Sequence, residues 1–230
     1  MKNQVVSLDK KLGKQLIEKN YILTCGLQKD KPALIKMRKH AMECLLRVLH
    51  DTDIKAVVSI YGADCIGDGE LIIEDEHFVC PVLNKSMSDD IIGVITFALT
   101  AGDVLFEDER VLDQAYFDIG GTAIVDAARD LLRVWFLQQY NDRECYISQS
   151  FGPGFYGMPA SDVVRIFRFM DCDKIGIRLL PSGFMLPAKS CVGFYILSSK
   201  EEKIPVMDCA HCLGHGKMCN YCKAGRDNKC

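Results

Sequence analysis

Hydrophobic positions in the first half of the chain follow helical spacing and then strand spacing. Apolar side chains recur every three or four positions between residues 34 and 48, at Leu34, Met37, Ala41, Leu45 and Val48. This spacing predicts an amphipathic helix, and Pro32 suits its first turn. The stretch "IKAVVSIYG" (54–62) predicts a strand, and "GDGELIIED" (67–75) predicts a turn followed by a short strand.

The middle of the chain predicts one buried strand and one long helix. The segment "IIGVITFALTAG" (91–102) is apolar on both faces, which is typical of a central strand. From Val111 to Tyr140 the spacing becomes helical again, but Gly120 and Gly121 interrupt it. Each glycine costs about 1 kcal/mol in a helix, so the pair predicts a kink or a close packing partner.

The last part of the body alternates between loops and short elements. Glycine and proline dominate "SFGPGFYGMPA" (150–160), which predicts an irregular loop. The stretch "SDVVRIFRFM" (161–170) predicts a helix with Ser161 as its N-cap. The stretches "KIGIRLL" (174–180) and "KSCVGFYILS" (189–198) then predict an antiparallel strand pair around a turn at "PSG". Side chains alternate along a strand, so one of Phe194 and Tyr195 is expected in the core.

Hydrophobic content falls after "KEEKIP" (200–205), which predicts two domains. Residues 1–203 are expected to form a packed α+β body, and residues 204–230 a small Cys-rich appendage. The 230-residue chain is 49% hydrophobic, which suits a globular body.

Charge and hydropathy exclude several classes of protein. The net charge is −3 and no basic stripe is visible, so nucleic-acid binding is not expected. No apolar run approaches the roughly 20 residues that span a bilayer. The N-terminal stretch lacks the apolar segment of a secretory signal. These features favour a cytoplasmic protein without membrane contact.

The cysteines fall into two groups. Seven are scattered among mostly apolar neighbours and are expected to be small buried hydrophobes: Cys25, Cys44, Cys65, Cys80, Cys145, Cys172 and Cys191. In the tail, "CAHCLGHGKMCNYC" (209–222) carries two C-x2-C pairs, and such turns direct thiolates at one centre. The four predicted metal ligands are Cys209, Cys212, Cys219 and Cys222. Zinc is the favoured ion, and an iron–sulfur cluster is the alternative.

Four separated stretches share an order that is found in one family. They are "FALTAGDVLF" (97–106), "FDIGGTAIVDAARD" (117–130), "SFGPGFYGMP" (150–159) and "FMLPAKSCVGFYILS" (184–198). Their order and spacing resemble the activation domain of cobalamin-dependent methionine synthase, and still more the stand-alone homologues of that domain in anaerobes. The matching residues are Phe97, Ala98, Thr100, Ala101 and Gly102 in the first stretch, Pro153, Gly154 and Phe155 in the loop, and Met185, Pro187, Ser190, Gly193, Phe194 and Tyr195 in the last.

The resemblance implies a fold and a task. The fold would be α+β, a twisted antiparallel sheet with long helices. In that family the domain binds S-adenosylmethionine and caps the corrin of a partner when inert Co(II) must be returned to methylcobalamin. The resemblance therefore implies an accessory or reactivation protein for a corrinoid-dependent methyltransferase of the methionine synthase type. S-adenosylmethionine would be a ligand, and cobalamin would be held by the partner.

The resemblance also implies site residues. Asp126 matches the glutamate that faces the ligand's amino group in the family. Pro153, Gly154 and Phe155 match the loop on the adenosine side, and Tyr195 lies on the strand that meets the corrin. These residues are expected to enclose one cradle.

One departure from the family keeps other functions open. Ser150 stands where the family has an arginine, so a charge-assisted pair with the ligand's carboxylate, worth roughly 1.5–3 kcal/mol, is missing. A non-catalytic module that binds a partner, with a structural zinc tail, is the alternative. An iron–sulfur tail would instead favour an electron-relay protein. An enzyme that transfers the methyl group by itself ranks third.

Overall fold

The computed structural model describes residues 1–81, 83, 90–104, 110–140 and 145–201. The predicted boundary near residue 203 and the four tail ligands Cys209, Cys212, Cys219 and Cys222 lie outside the described residues. The division into two domains and the metal in the tail therefore stay predictions.

Nine strands are described, and five of them form the main sheet. They are β1 (Gln4–Ser7), β2 (Lys55–Gly62), β3 (Glu70–Ile73), β4 (Glu76–Val79), β5 (Ile91–Thr100), β6 (Tyr146–Ile147), β7 (Arg178–Leu179), β8 (Met185–Leu186) and β9 (Ser190–Ser198). The order in the main sheet is β1-β2-β5-β9-β6, and every neighbouring pair is antiparallel. The apolar strand β5 is central, as its sequence predicts. Two hairpins, β3-β4 and β7-β8, stand apart from this sheet.

Four α-helices are described: α1 (Lys14–Thr24), α2 (Pro32–Asp51), α3 (Val111–Gln139) and α4 (Val163–Ile166). The predicted helices α2 and α3 are confirmed, and α2 begins at Pro32. Helix α3 continues through Gly120 and Gly121. A Cβ atom at Gly120 would lie 3.4 Å from Val48 and 3.5 Å from Leu45 of α2. Helix α3 therefore has a close packing partner, α2, at Gly120, which is one of the two predicted outcomes.

The main sheet is buried on both faces. One face packs against the helices, and its cluster includes Phe97, Tyr195 and Leu197. The other face packs against the β3-β4 hairpin and residues 166–177, and its cluster includes Phe194 and Ile196. The alternation along β9 predicts one of Phe194 and Tyr195 in the core, and the structure buries the other as well. Both are buried because each face of the sheet is covered.

Two predictions for the last part of the body are wrong in detail. The helix predicted over 161–170 is limited to α4, and Ser161 does not cap it, because a 3-10 turn at Ala160–Asp162 precedes it. The strand pair predicted around "PSG" is also different. Strand β7 pairs with β8, whereas β9 pairs with β5 and β6. A tight turn, in which the Gly183 N–H donates to the Leu180 carbonyl at 2.8 Å, closes the short hairpin before β9 begins.

The scattered cysteines are free thiols in the structure. Four of them are buried, as predicted: Cys44, Cys65, Cys80 and Cys172. The other three, Cys25, Cys145 and Cys191, are half-buried. Among the described helices, none has the length and apolar character needed to cross a membrane.

Candidate functional site

Asp126 and Tyr195 are connected through one residue, Arg129, on the helix-covered face of the sheet. The Tyr195 hydroxyl donates a hydrogen bond of 2.8 Å to the Arg129 carbonyl, and its ring lies 4.8 Å from that of Phe97, centroid to centroid. The Arg129 Nη2 atom lies 2.5 Å from Asp126 Oδ1. Helix α3 carries both charged residues, three positions apart, so that they share a helix face. The structure therefore brings two of the predicted site residues together.

Arg129 is a candidate functional residue that the sequence argument missed. Its side chain is 29% exposed, so it is partly accessible from solvent. Its Nε atom is buried and has no hydrogen-bond partner among the described residues. A buried N–H without a partner costs free energy that a bound acceptor would recover. The spacing of three from Asp126 is the sequence signal that could have indicated this residue.

Besides Asp126, the neighbours of Arg129 include a thiol, Cys191, and a phenol, Tyr195. Burial raises the pKa of Cys191 to about 11, although Arg129 opposes that effect. Burial likewise raises the pKa of Tyr195 well above its ordinary value. Both groups therefore stay protonated at neutral pH, and Cys191 is not poised as a nucleophile. Arg129 and Asp126 form a charged pair beside these neutral groups.

Backbone hydrogen bonds within the loop fix the conformation of Pro153, Gly154 and Phe155. The Gly154 N–H donates to the Met158 carbonyl at 2.9 Å, and the Phe155 N–H donates to the Gly152 carbonyl at 2.9 Å. Gly154 has φ +88°, in the left-handed region that favours glycine. Pro153 is half-buried, whereas Phe155 is 52% exposed. This loop therefore presents an aromatic ring to solvent on a defined backbone.

Two glycines let the same loop join strand β9. Backbone hydrogen bonds link Phe151 and Phe194 in both directions, at 3.0 and 2.7 Å. A Cβ atom at Gly152 would lie only 2.9 Å from Gly193 Cα, and a Cβ atom at Gly193 would overlap the Phe151 carbonyl oxygen. The matched family residue Gly193 is therefore needed for the close approach of loop and strand.

The buried residues of the loop pack on the face of the sheet opposite the one that carries the Tyr195 side chain. Phe151 and Met158 belong to the cluster of Phe194, the strand neighbour of Tyr195. Two surface depressions, of about 380 and 450 Å³, lie elsewhere, on the outer side of α2 and beside the β3-β4 hairpin. The structure thus pairs Asp126 with Tyr195 and fixes the loop at β9, while a single cradle for all five predicted residues stays a prediction.

The fold is that of methionine synthase reactivation domains: one antiparallel sheet, long helices on one face, and short elements on the other. The crystal structure of the MetH reactivation domain bound to AdoHcy is similar to this chain, with a TM-score of 0.57 and 14% sequence identity. The similarity covers 84% of this chain and 77% of that chain. At this identity the likeness shows the fold. No family model and no curated protein matches the sequence.

Proposed function

We propose that the protein is an accessory factor that services a cobalamin-dependent methyltransferase of the methionine synthase type. The observation that carries the proposal is the likeness to the MetH reactivation domain over 84% of the chain. The four family stretches support it, because their residues meet in space. Tyr195 contacts Phe97 and the Arg129 carbonyl, and Gly193 approaches Phe151. We further propose that the protein binds S-adenosylmethionine itself, since the similar domain is bound to AdoHcy.

The residues around Arg129 fit the amino-acid end of this ligand. A zwitterion needs a cation for its carboxylate and an anion for its ammonium group, and Arg129 and Asp126 supply one of each, 2.5 Å apart. The buried Nε atom of Arg129 has no hydrogen-bond partner among the described residues, and a carboxylate oxygen that reached it would supply one. Arg129 would thereby supply the guanidinium that Ser150 lacks.

The remaining predicted residues suit the other end of the ligand and the partner. The exposed ring of Phe155 offers an apolar face for an adenine or for the partner's corrin. The positive φ of Gly154 favours glycine at this position, and glycine leaves the position without side-chain atoms. When bound, S-adenosylmethionine would supply a methyl group to the partner's corrin, while Asp126 and Arg129 hold and orient its amino-acid end.

Replacing Arg129 by methionine should weaken the binding of S-adenosylmethionine roughly ten- to 150-fold. This range corresponds to the loss of one charge-assisted pair, worth roughly 1.5–3 kcal/mol. The backbone carbonyl of residue 129 accepts the hydrogen bond from the Tyr195 hydroxyl, so this bond is retained in the variant. Isothermal titration calorimetry of the full chain measures the effect.

Arg168→Met is the matched control for this experiment. Arg168 is 61% exposed and pairs with Glu76, so its loss should leave binding unchanged. Wild-type protein that gives neither heat nor thermal protection at millimolar S-adenosylmethionine would remove the methyl-donor role. Equal affinities of the wild type and Arg129→Met would instead remove only the role given to Arg129.

Docking on a corrinoid partner is tested independently of the small ligand. The full chain should retain the cobalamin-binding module of its host's methyltransferase, identified by the cobalamin absorption spectrum. Phe155→Asp should weaken this complex by about tenfold or more, because a charge replaces an exposed aromatic contact. Phe184→Asp is the control, since Phe184 is 55% exposed on the β7-β8 hairpin. If Phe155→Asp bound the partner as tightly as Phe184→Asp, the docking surface would not include Phe155.

A second candidate function, a partner-binding module without a ligand, is favoured by Ser150 in place of the family arginine. It predicts a retained cobalamin-bearing partner together with no response to S-adenosylmethionine. In this case the tail, with Cys209, Cys212, Cys219 and Cys222, would hold structural zinc and give a colourless preparation. A brown preparation with visible charge-transfer absorption would favour an iron–sulfur cluster and an electron relay.

A further inference from the structure

A second group of polar side chains lies where helix α2 meets the first turn of helix α3, away from Arg129. His40 and Cys44 are four positions apart on α2, so they share one helix face. Asp113 lies in the first turn of α3. One ligand atom from each of the three lies within 4.8 Å of the others. Sequence reasoning missed this group because α2 and α3 are separated by about sixty residues of chain.

Burial and exposure are unevenly divided within the group. Cys44 is 2% exposed and Asp113 is 1% exposed. The His40 side chain is 34% exposed, so the group opens to solvent on the histidine side. A buried thiol and a buried carboxylate thus lie beside one accessible imidazole. The opening also gives an ion a path of entry.

The donor types select a class of ion. Imidazole nitrogen, thiolate sulfur and carboxylate oxygen together are typical ligands of zinc, with three protein ligands leaving one position open. The His40 Nε2 and Asp113 Oδ1 atoms are 2.6 Å apart, which is a hydrogen-bond distance. Two such ligands of one tetrahedral zinc are about 3.3 Å apart. Moving these two atoms apart by less than about 1 Å would therefore convert the hydrogen-bonded pair into a pair of metal ligands.

Outer partners are present for two of the three ligands. Glu43 Oε2 lies 3.7 Å from the second ring nitrogen of His40, where a carboxylate commonly orients a metal-bound histidine. Arg110 Nη2 lies 2.5 Å from Asp113 Oδ2, which leaves Oδ1 directed at His40. These contacts fix the direction of both ligand groups before an ion arrives.

An independent observation points to the same place. The Tyr116 hydroxyl is buried and has no hydrogen-bond partner among the described residues. Its ring lies 6.0 Å from the His40 ring, centroid to centroid, in an edge-on arrangement. Buried hydroxyls almost always have a partner, so this one indicates a polar occupant that the described residues do not provide.

We infer that His40, Cys44 and Asp113 form a binding site for one zinc ion, with solvent as the fourth ligand. The ion would join α2 to the start of α3. Its three ligands are different residues from the four thiolates predicted in the tail, and the inference does not depend on the proposed corrinoid function.

Zinc binding to the metal-free full chain tests the inference by competition with a chromophoric chelator. Cys44→Ala and His40→Ala should each bind one zinc fewer than the wild type at equal free zinc. The affinity of this site should fall by more than the roughly 10–100-fold that loss of an outer partner costs. The same difference should appear in a Cys212→Ser background, which separates the site from the tail.

Two controls show whether the ligands themselves matter. Cys172→Ala removes a buried thiol from the opposite face of the sheet, and His50→Ala removes an exposed histidine from the same helix. Neither should change the zinc count. In the Cys212→Ser background, cobalt substitution should also give a sulfur-to-cobalt absorption band that the added Cys44→Ala change weakens while the circular dichroism is unchanged. Equal zinc counts in the wild type, Cys44→Ala and His40→Ala would overturn the inference, and so would an equal loss in the Cys172→Ala control.

Discussion

Replacing Phe194 by alanine is expected to lower the free energy of unfolding by about 3–5 kcal/mol. The Phe194 ring is fully buried, and its centroid lies 5.2 Å from Phe78 and 5.6 Å from Phe151. Removing it leaves a cavity between strand β9, the β3-β4 hairpin and the loop that precedes Pro153. Denaturant unfolding followed by circular dichroism measures the loss.

Phe184→Ala is the matched control for the Phe194 prediction, because this phenylalanine is 55% exposed. Its stability change should stay within about 0.5 kcal/mol. If Phe194→Ala lost as little as Phe184→Ala, the second face of the sheet could not be closely packed.

Gly193→Ala should lower the free energy of unfolding by about 2–3 kcal/mol, the upper part of the range for overpacking. The added Cβ atom would overlap the Phe151 carbonyl oxygen and lie 3.2 Å from the Phe97 ring. The carbonyl belongs to the backbone that bonds with Phe194, so it cannot move without breaking that pair of hydrogen bonds. Denaturant unfolding measures the stability, and calorimetry with S-adenosylmethionine should show weakened binding as the loop shifts.

Gly62→Ala is the control for the glycine prediction. Gly62 is exposed at the end of strand β2, and the atom nearest to an added Cβ would be the flexible Asp64 carboxylate oxygen, at 2.5 Å. Its stability should change by less than about 1 kcal/mol. A Gly193→Ala protein as stable as Gly62→Ala would contradict the close approach of loop and strand.

Long periodic segments were predictable from the sequence. Helices α2 and α3 and strand β5 were recognised because each has a hydrophobic pattern sustained over many residues. Short elements were not, since α4 has four residues and its boundaries depend on the packing of Ile166 and Phe169 rather than on Ser161. The burial of both Phe194 and Tyr195 also escaped prediction, because alternation along a strand does not reveal whether one or both faces are covered.

The candidate site was predictable only where a motif marks it. Asp126, Gly154 and Tyr195 were indicated by resemblance, and the structure adds the reason that Gly193 belongs to the motif. Arg129 was missed because no family position indicates it, although its spacing from Asp126 predicts an ion pair. His40 and Asp113 were missed because their contact joins two helices, and helical periodicity describes each helix alone.

Burial on both faces of the sheet has a consequence for how the body melts. Consecutive residues of β5, such as Phe97 and Ala98, belong to different hydrophobic clusters. Neither cluster can be solvated without exposing the backbone that supports the other. The two layers around β5 are therefore one thermodynamic unit, and different spectroscopic probes of one denaturant titration should report a single transition with the same midpoint.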